Sequence, residues 1–318
     1  MFEILEYKPL PETLQVIGIG GGGVSAINYM IEQGMQGAEF IAIDTNAETL
    51  SRSLALTQLL IGTAIIEDMG GHSEPSACNA AAEEFCERIK ASICNADMVF
   101  IIAGMGGRTE QEIAPMVAQI ARELKILTVA IITNQFSHES DRHHYDDVCI
   151  KSLSANVDSL IIVPKIKISG EPGNDEAMQE SYTAACKFMH SAVTSLVTAL
   201  TDDCFISVDF ADLSIILSDS GIAIFGTGSA SGTNRAQIAA ERAISCLQFE
   251  NRELTNTRGA LVNITHDSYF TMQEYKEVMR HVRSIVSEES TVIVCAYPNR
   301  STSNELHVAV FATGFNLI

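Results

Sequence analysis

Leu14–Gly23 reads LQVIGIGGGG, an apolar run that ends in four consecutive glycines, Gly20, Gly21, Gly22 and Gly23. The run is rich in Val and Ile, as a buried strand is. Behind it, Val24–Gln33 spaces its apolar residues as a helix does. A glycine loop between strand and helix lets a phosphate come close to the backbone, and the helix N-terminus adds N–H donors and the positive end of its dipole. Gly18, Gly20 and Gly23 fit the spacing G-x-G-x-x-G, and Asp44 closes the next strand signal 21 residues after Gly23. Taken alone, this is a dinucleotide fingerprint with Asp44 on a ribose. A ligand-free turn would not require glycines at so large an entropic cost.

Strand and helix signals alternate on both sides of this loop. Glu39–Ile43, Met98–Ala103, Thr128–Thr133 and Ser159–Pro164 read as strands. Pro75–Cys94, Ile113–Lys125 and Ser140–Ala155 read as helices, the first opened by Ser73, Glu74 and Pro75. Such alternation predicts an α/β fold, a parallel sheet with helices on both faces. A long helix over Glu176–Leu200 follows the loop Ser169–Asn174. A smaller α+β unit comes next, with strands at Gly221–Phe225, Gly259–Thr265, Thr291–Ala296 and Glu305–Thr313 and helices at Asn234–Gln248 and Met272–Val286. The expected division is a nucleotide-binding domain over 1–175, a central helix over 176–202 and a C-terminal α+β domain over 203–318.

A second glycine cluster, Gly104-Met105-Gly106-Gly107-Arg108-Thr109, also follows a strand. A dinucleotide enzyme has no standard use for it. Two glycine loops at the carboxyl ends of neighbouring strands cradle a di- or triphosphate from both sides. The alternative is a close helix–sheet crossing.

Composition narrows the class. The chain has 318 residues, 20 basic against 40 acidic, so its net charge is −20. A mean hydropathy of +0.16 with 19% charged residues excludes disorder, and a pI near 4.7 argues against nucleic-acid binding and a polybasic membrane anchor. No apolar stretch approaches the roughly 20 residues of a membrane span, and MFEILEYKPL lacks a basic leader, so a cytoplasmic protein is expected. The eight cysteines form no C-x-x-C pair and read as small buried hydrophobes in a reducing compartment. His143 and Asp147 stand at i, i+4 in a polar run, which reads as a solvated helix face, so no metal site is expected. No nucleophile elbow and no GxxxxGK[ST] loop is present.

Ten segments in order resemble the tubulin/FtsZ family of filament-forming GTPases: VIGIGGGG, NYMIEQG, EFIAIDTNAETL, NADMVFIIAGMGG, LTVAIIT, NVDSLIIVP, SVDFADL, GSASGTNRA, LVNIT and ELHVAVFATG, from about Leu14 to Gly314. The resemblance implies a GTP/GDP pocket built on Gly20–Gly23, Ser25, Asp44 and the loop Gly104, Met105, Gly106, Gly107, Arg108 and Thr109. It further implies Glu139, Arg142 and His143 at ribose and phosphates, and Lys165, Tyr182 and Lys187 at the base. It also implies head-to-tail contacts with another copy or with a genuine FtsZ. There the segment Ser207–Asp212 meets the nucleotide of the next subunit, and Asp209 and Asp212 orient water or hold a cation such as Mg2+. Read locally, the same two acids are a helix N-cap and a first-turn acid.

This chain departs from the family at the nucleotide. Where the family loop reads GMGGGTGTG, three glycines are replaced by Arg108, Glu110 and Glu112. A carboxylate about 5 Å from the phosphates costs roughly 3 kcal/mol at an effective dielectric near 20. Arg108 offsets part of that, or Glu110 points to solvent. Lys165 stands for an Asn and Lys187 for an Asp that accepts from guanine, so a donor faces donors. His143 takes the place of an Arg, Ser25 and Ser207 each that of an Asn, and Val24 that of a fifth glycine. The family's disordered linker and adaptor-docking tail are not expected, because the sequence stops after its last strand signal. The expectation is therefore a weak or impaired GTPase whose GTP/GDP binding is weakened. One alternative is a pseudo-GTPase that caps or co-assembles with FtsZ filaments; another is an enzyme that binds NAD on Gly18–Gly23 and Asp44.

Overall fold

The computed structural model describes residues 12–61, 75–104, 107–133, 143–164, 175–201, 204–218, 220–247, 257–299 and 304–315. The described chain runs β1 (Leu14–Ile19), α1 (Gly20–Glu32), β2 (Glu39–Asp44), α2 (Ala47–Ser51), β3 (Thr57–Leu60), α3 (Pro75–Ile93), β4 (Met98–Gly104), α4 (Arg108–Glu123), β5 (Leu127–Thr133), α5 (His143–Ser154) and β6 (Ser159–Val163). It continues with α6 (Asp175–Thr201), α7 (Phe210–Leu217), β7 (Gly221–Ser231), α8 (Arg235–Leu247), β8 (Gly259–His266), α9 (Met272–Arg283), β9 (Thr291–Pro298) and β10 (Glu305–Phe315).

All ten strands join one sheet in the order β3-β2-β1-β4-β5-β6-β7-β10-β8-β9. Every neighbouring pair is parallel except those of β10, which runs antiparallel to β7 and β8. The expected α/β class and parallel sheet are present. The C-terminal strands extend the same sheet, because Gly221 and Ile222 of β7 pair in register with Ser159 and Leu160 of β6. Ser159 Oγ lies 2.5 Å from Ser220 Oγ and donates to the Leu217 carbonyl at 2.9 Å, tying that junction together.

Strand residues alternate between two cores. On one face Ile17, Ile19, Ile101 and Ile132 pack with Phe85 and Ile89 of α3 and Ile113 and Val117 of α4, and the layer continues through α8 and α9. On the other, Val16, Phe100 and Ile131 pack with Ile27 and Met30 of α1, Val193 and Leu196 of α6 and Leu213 of α7. Strands buried on both faces explain why β1, β4 and β5 are unbroken apolar runs.

Some boundaries differ from expectation. α1 starts at Gly20 rather than Val24, because the glycines form its first turn. α4 starts at Arg108 rather than Ile113, since its first turn is polar and invisible to hydrophobic periodicity. β7 runs to Ser231, past the expected Phe225. Pro115 inside α4 has no N–H, and the Gln111 carbonyl four residues before it accepts from the Cys149 thiol at 2.7 Å. Cys186 and Cys295 are buried as expected, whereas Cys94 and Cys246 are exposed, so the general expectation of buried cysteines is corrected. Among the described residues no helix is long and apolar enough to cross a membrane.

Candidate functional site

β1 and β4 are neighbours in register, Ile19 beside Ala103, and each delivers its chain into a helix at the carboxyl edge of the sheet. The two glycine loops therefore stand side by side. A Cβ added to Gly22 would sit 3.5 Å from the Cα of Gly104. The helices that begin there, α1 and α4, have Ile19 and Gly107 at their N-caps and no side-chain cap. By contrast α2, α7 and α9 are capped by Asn46, Asp209 and Thr271. Uncapped N-termini present N–H groups that an anion satisfies.

The glycines divide into two kinds. A Cβ on Gly23 would strike the Ile102 carbonyl oxygen, and one on Gly18 would lie 2.6 Å from the Gly23 carbonyl oxygen. Both serve the close crossing of α1 over β1 and β4. Gly20 has φ +68°, which disfavours any side chain. Gly21, in contrast, has nothing within 4 Å of a Cβ position. Packing does not explain a glycine there, whereas close approach by a ligand does.

Part of the cradle is filled from within. Glu110, in the first turn of α4, is only 7% exposed. Its Oε1 lies against Gly20 and its Oε2 against Gly107, in the space where Cβ atoms on those glycines would go. With one oxygen against Gly20 and the other against Gly107, the carboxylate touches both loops, and the nearby backbone N–H groups of Glu110, Gly22 and Gly107 favour its charge. Burial pushes its pKa up to about 7 and the nearby Asp44 charge adds to the rise, while the N–H groups oppose it. The expected carboxylate at the phosphate loops is what the fold builds, and the alternative, Glu110 pointing to solvent, is corrected.

The surrounding residues hold the loops in place. Asp44 is buried at the end of β2 and its Oδ1 accepts from the Asn46 N–H at 3.0 Å. Thr45 Oγ1 is 3.1 Å from Thr109 Oγ1, a link between β2 and the second loop for which the sequence carried no signal. Tyr182 of α6 donates its hydroxyl to the Gly22 carbonyl at 3.1 Å, and burial pushes its pKa up to about 12. Ser25 Oγ donates to the Gly21 carbonyl at 2.9 Å. Lys187 is exposed on α6, one turn beyond Tyr182. Met105, Gly106, Glu139, Arg142 and Lys165 lie outside the described residues. Arg108 and His143 lie in the first turns of α4 and α5, with their side chains outside the description.

Asp209 and Asp212 lie elsewhere. They begin α7; its Phe210 and Ser214, with Ser218 just beyond its end, share a cavity with Asp97, Ile126 and Asp158, residues that precede β4, β5 and β6. That is the amino edge of the sheet, opposite the glycine loops. The two acids form a capping box: Asp209 Oδ1 accepts from Asp212 N–H at 2.8 Å and Asp212 Oδ2 accepts from Asp209 N–H at 3.2 Å. Each bond uses one oxygen of its carboxylate.

A second polar cluster escaped sequence reasoning. Arg235, at the start of α8, is buried and donates at 2.9 Å to both oxygens of buried Asp267 and at 2.6 Å to Glu274. Its partners are 32 and 39 residues away, so no local pattern announces them.

The family model described as the Tubulin/FtsZ family GTPase domain matches residues 13–170, and that of the FtsZ family C-terminal domain matches residues 221–316. The chain is 39% identical over 315 residues to a cell division protein FtsZ of Coxiella burnetii, covering 99% of this chain and 82% of the relative. It is 38% identical to that of Pseudomonas aeruginosa, covering 99% and 80%. Among solved structures, a W319Y mutant of FtsZ from M. jannaschii superposes with a TM-score of 0.83 at 31% identity, covering 96% of this chain and 91% of that one. These likenesses give no support to a dinucleotide-dependent enzyme. Two apposed glycine loops on a parallel sheet, matched along nearly the whole length, carry one conclusion: the chain belongs to the tubulin/FtsZ family, as an FtsZ-like relative of the cell division proteins.

Proposed function

We propose that this chain is a cytoplasmic, guanine-nucleotide-binding subunit of FtsZ-type filaments with an impaired GTPase. The observation that carries this reading is the apposition of Gly20–Gly23 with Gly104 and Gly107 at one edge of the sheet, with Asp209 and Asp212 at the opposite edge. A subunit with unlike ends assembles head to tail, and such a contact propagates open filaments. In that arrangement residues 1–175 hold GTP or GDP, the central helix over 176–202 follows, and the acids of the unit over 203–318 meet the nucleotide of the next subunit. There the carboxylate oxygens outside the capping box orient the water that attacks the γ-phosphate in line, or hold Mg2+ near it. The remaining pocket residues are Ser25, Asp44, Met105, Arg108, Thr109, Glu139, Arg142, His143 and, at the base, Lys165, Tyr182 and Lys187. Acid extraction and chromatography of the purified protein test the pocket, and light scattering with phosphate release tests assembly. GDP or GTP in the extract, with GTP-dependent polymer and slow turnover, is expected; NAD in the extract overturns the reading.

The position of Glu110 favours a second reading. A subunit whose own pocket is obstructed still offers Asp209 and Asp212, and so docks onto FtsZ without recruiting the next subunit well. Substoichiometric addition would then lower the polymer mass of a polymerising FtsZ. Efficient assembly of this chain alone would refute capping.

A further inference from the structure

We propose that Glu110 is a built-in competitor for nucleotide phosphate: its carboxylate occupies the anion cradle between the glycine loops, and phosphate enters only when that carboxylate leaves or loses its charge. The inference deepens the nucleotide-binding reading above and rests on it.

A Glu at the third position of a helix commonly reaches back to the N-cap N–H, and a surface cap of that kind is the plainer account of Glu110. Three observations exceed it. The carboxylate also lies against Gly20, on a different helix and a different loop from its own, so it bridges the two halves of the site. It is 7% exposed, where an ordinary cap is solvated. It also sits between the N-termini of α1 and α4, neither of which has a side-chain cap, close to backbone N–H groups of both. Those N–H groups and the positive dipole ends are what a helix N-terminus offers an anionic oxygen. An internal carboxylate in the same place satisfies them with no ligand present and repels an incoming phosphate by like charge.

The competition depends on protonation. Around Glu110, α1 contributes only Gly20–Val24 and the neutral Ser25. The end of β2 contributes Asp44, an acid that disfavours charge on Glu110, and α6 contributes Tyr182, whose own titration is pushed up to about 12 by burial. Within α4, Arg108 and Glu112 flank it in sequence. Glu110 titrates near 7, so the neutral form exists at mildly acidic pH and the competing carboxylate dominates above it. Phosphate binding to the wild-type protein therefore weakens by up to about tenfold for each pH unit above that value.

The test measures dissociation constants for GDP and for inorganic pyrophosphate between pH 6.5 and 9, in wild type, Glu110→Gln and Glu110→Gly. Circular dichroism verifies the fold of each. Pyrophosphate reads the cradle without the base. The expected result is at least about a tenfold gain for both ligands at pH 8 in either variant, with a flatter pH profile than wild type. Equal affinities and equal profiles in all three proteins overturn the competition while leaving nucleotide binding intact. A pyrophosphate gain without any GDP binding upholds the competition and removes the guanine reading. No binding of either ligand to the folded variants overturns both.

Discussion

Adding one methyl group to two glycines of the same loop should have opposite effects. At Gly23 the new Cβ would strike the main-chain oxygen of Ile102 and lie 3.0 Å from the Gly18 carbonyl carbon. Both obstacles are backbone, so no rotamer relieves the clash. α1 would have to retreat by about 1 Å to recover van der Waals separation. Overpacking of this kind costs about 1–3 kcal/mol. Better helix propensity returns up to about 1 kcal/mol. At Gly21 nothing lies within 4 Å, so only the propensity gain remains. Gly23→Ala should therefore lose about 2 kcal/mol, Gly21→Ala should gain about 0.5–1 kcal/mol, and the gap between them should be roughly 3 kcal/mol. Urea denaturation followed by far-UV circular dichroism reads both. Nucleotide affinity should behave in the reverse sense, with Gly21→Ala obstructing the open face of the loop despite its greater stability. Equal stability of the two variants, or a Gly21→Ala protein as unstable as Gly23→Ala, would refute the division into packing and ligand glycines.

Replacing Arg235 by Met strands the buried Asp267 carboxylate and the Glu274 carboxylate, and should cost about 3–5 kcal/mol at pH 7. The Arg235 hydrogen bonds hold Asp267 below the usual carboxylate range, so the gap between wild type and variant should narrow as pH falls through about 4. Glu110 acts with the opposite sign. Its folded value, about 7, lies above the ordinary 4.5, so its contribution to stability is fullest below 4.5 and is lost as pH rises through about 7. That gap is worth about 3 kcal/mol, and Glu110→Gln should flatten this part of the pH–stability curve in calorimetry. Asp212→Ala should cost the isolated subunit only about 1 kcal/mol, the worth of a helix cap. It should slow GTP turnover in polymer by about a hundredfold, whereas a loss matching the stability change alone would leave Asp212 a cap and nothing more. Lys187→Asp with Lys165→Asn should raise selectivity for GTP over ATP by at least about tenfold in competition binding, and no gain would mean that the base is read elsewhere.

The alternation of apolar runs with helical spacing was enough to read the α/β class, because strands buried on both faces need continuous Val and Ile. The glycine loops were equally legible, since strand, glycines and helix lie together in sequence within Leu14–Gln33. The local cap at Asp209 and Asp212 was readable too, for a capping box spans only four residues. What depends on distant partners was not. Boundaries such as Gly20 and Arg108 escaped because first turns made of glycine or polar residues carry no apolar period. The clamp of Arg235 on Asp267 and Glu274 joins separate elements, and the pairing of β6 with β7 spans some 60 residues. The direction of Glu110 was open in the sequence, where solvent and the phosphate loop were both within reach of its side chain. Only the parallel pairing of β1 with β4 brings the glycines of α1 opposite the first turn of α4, and that tertiary contact turns a first-turn carboxylate inward.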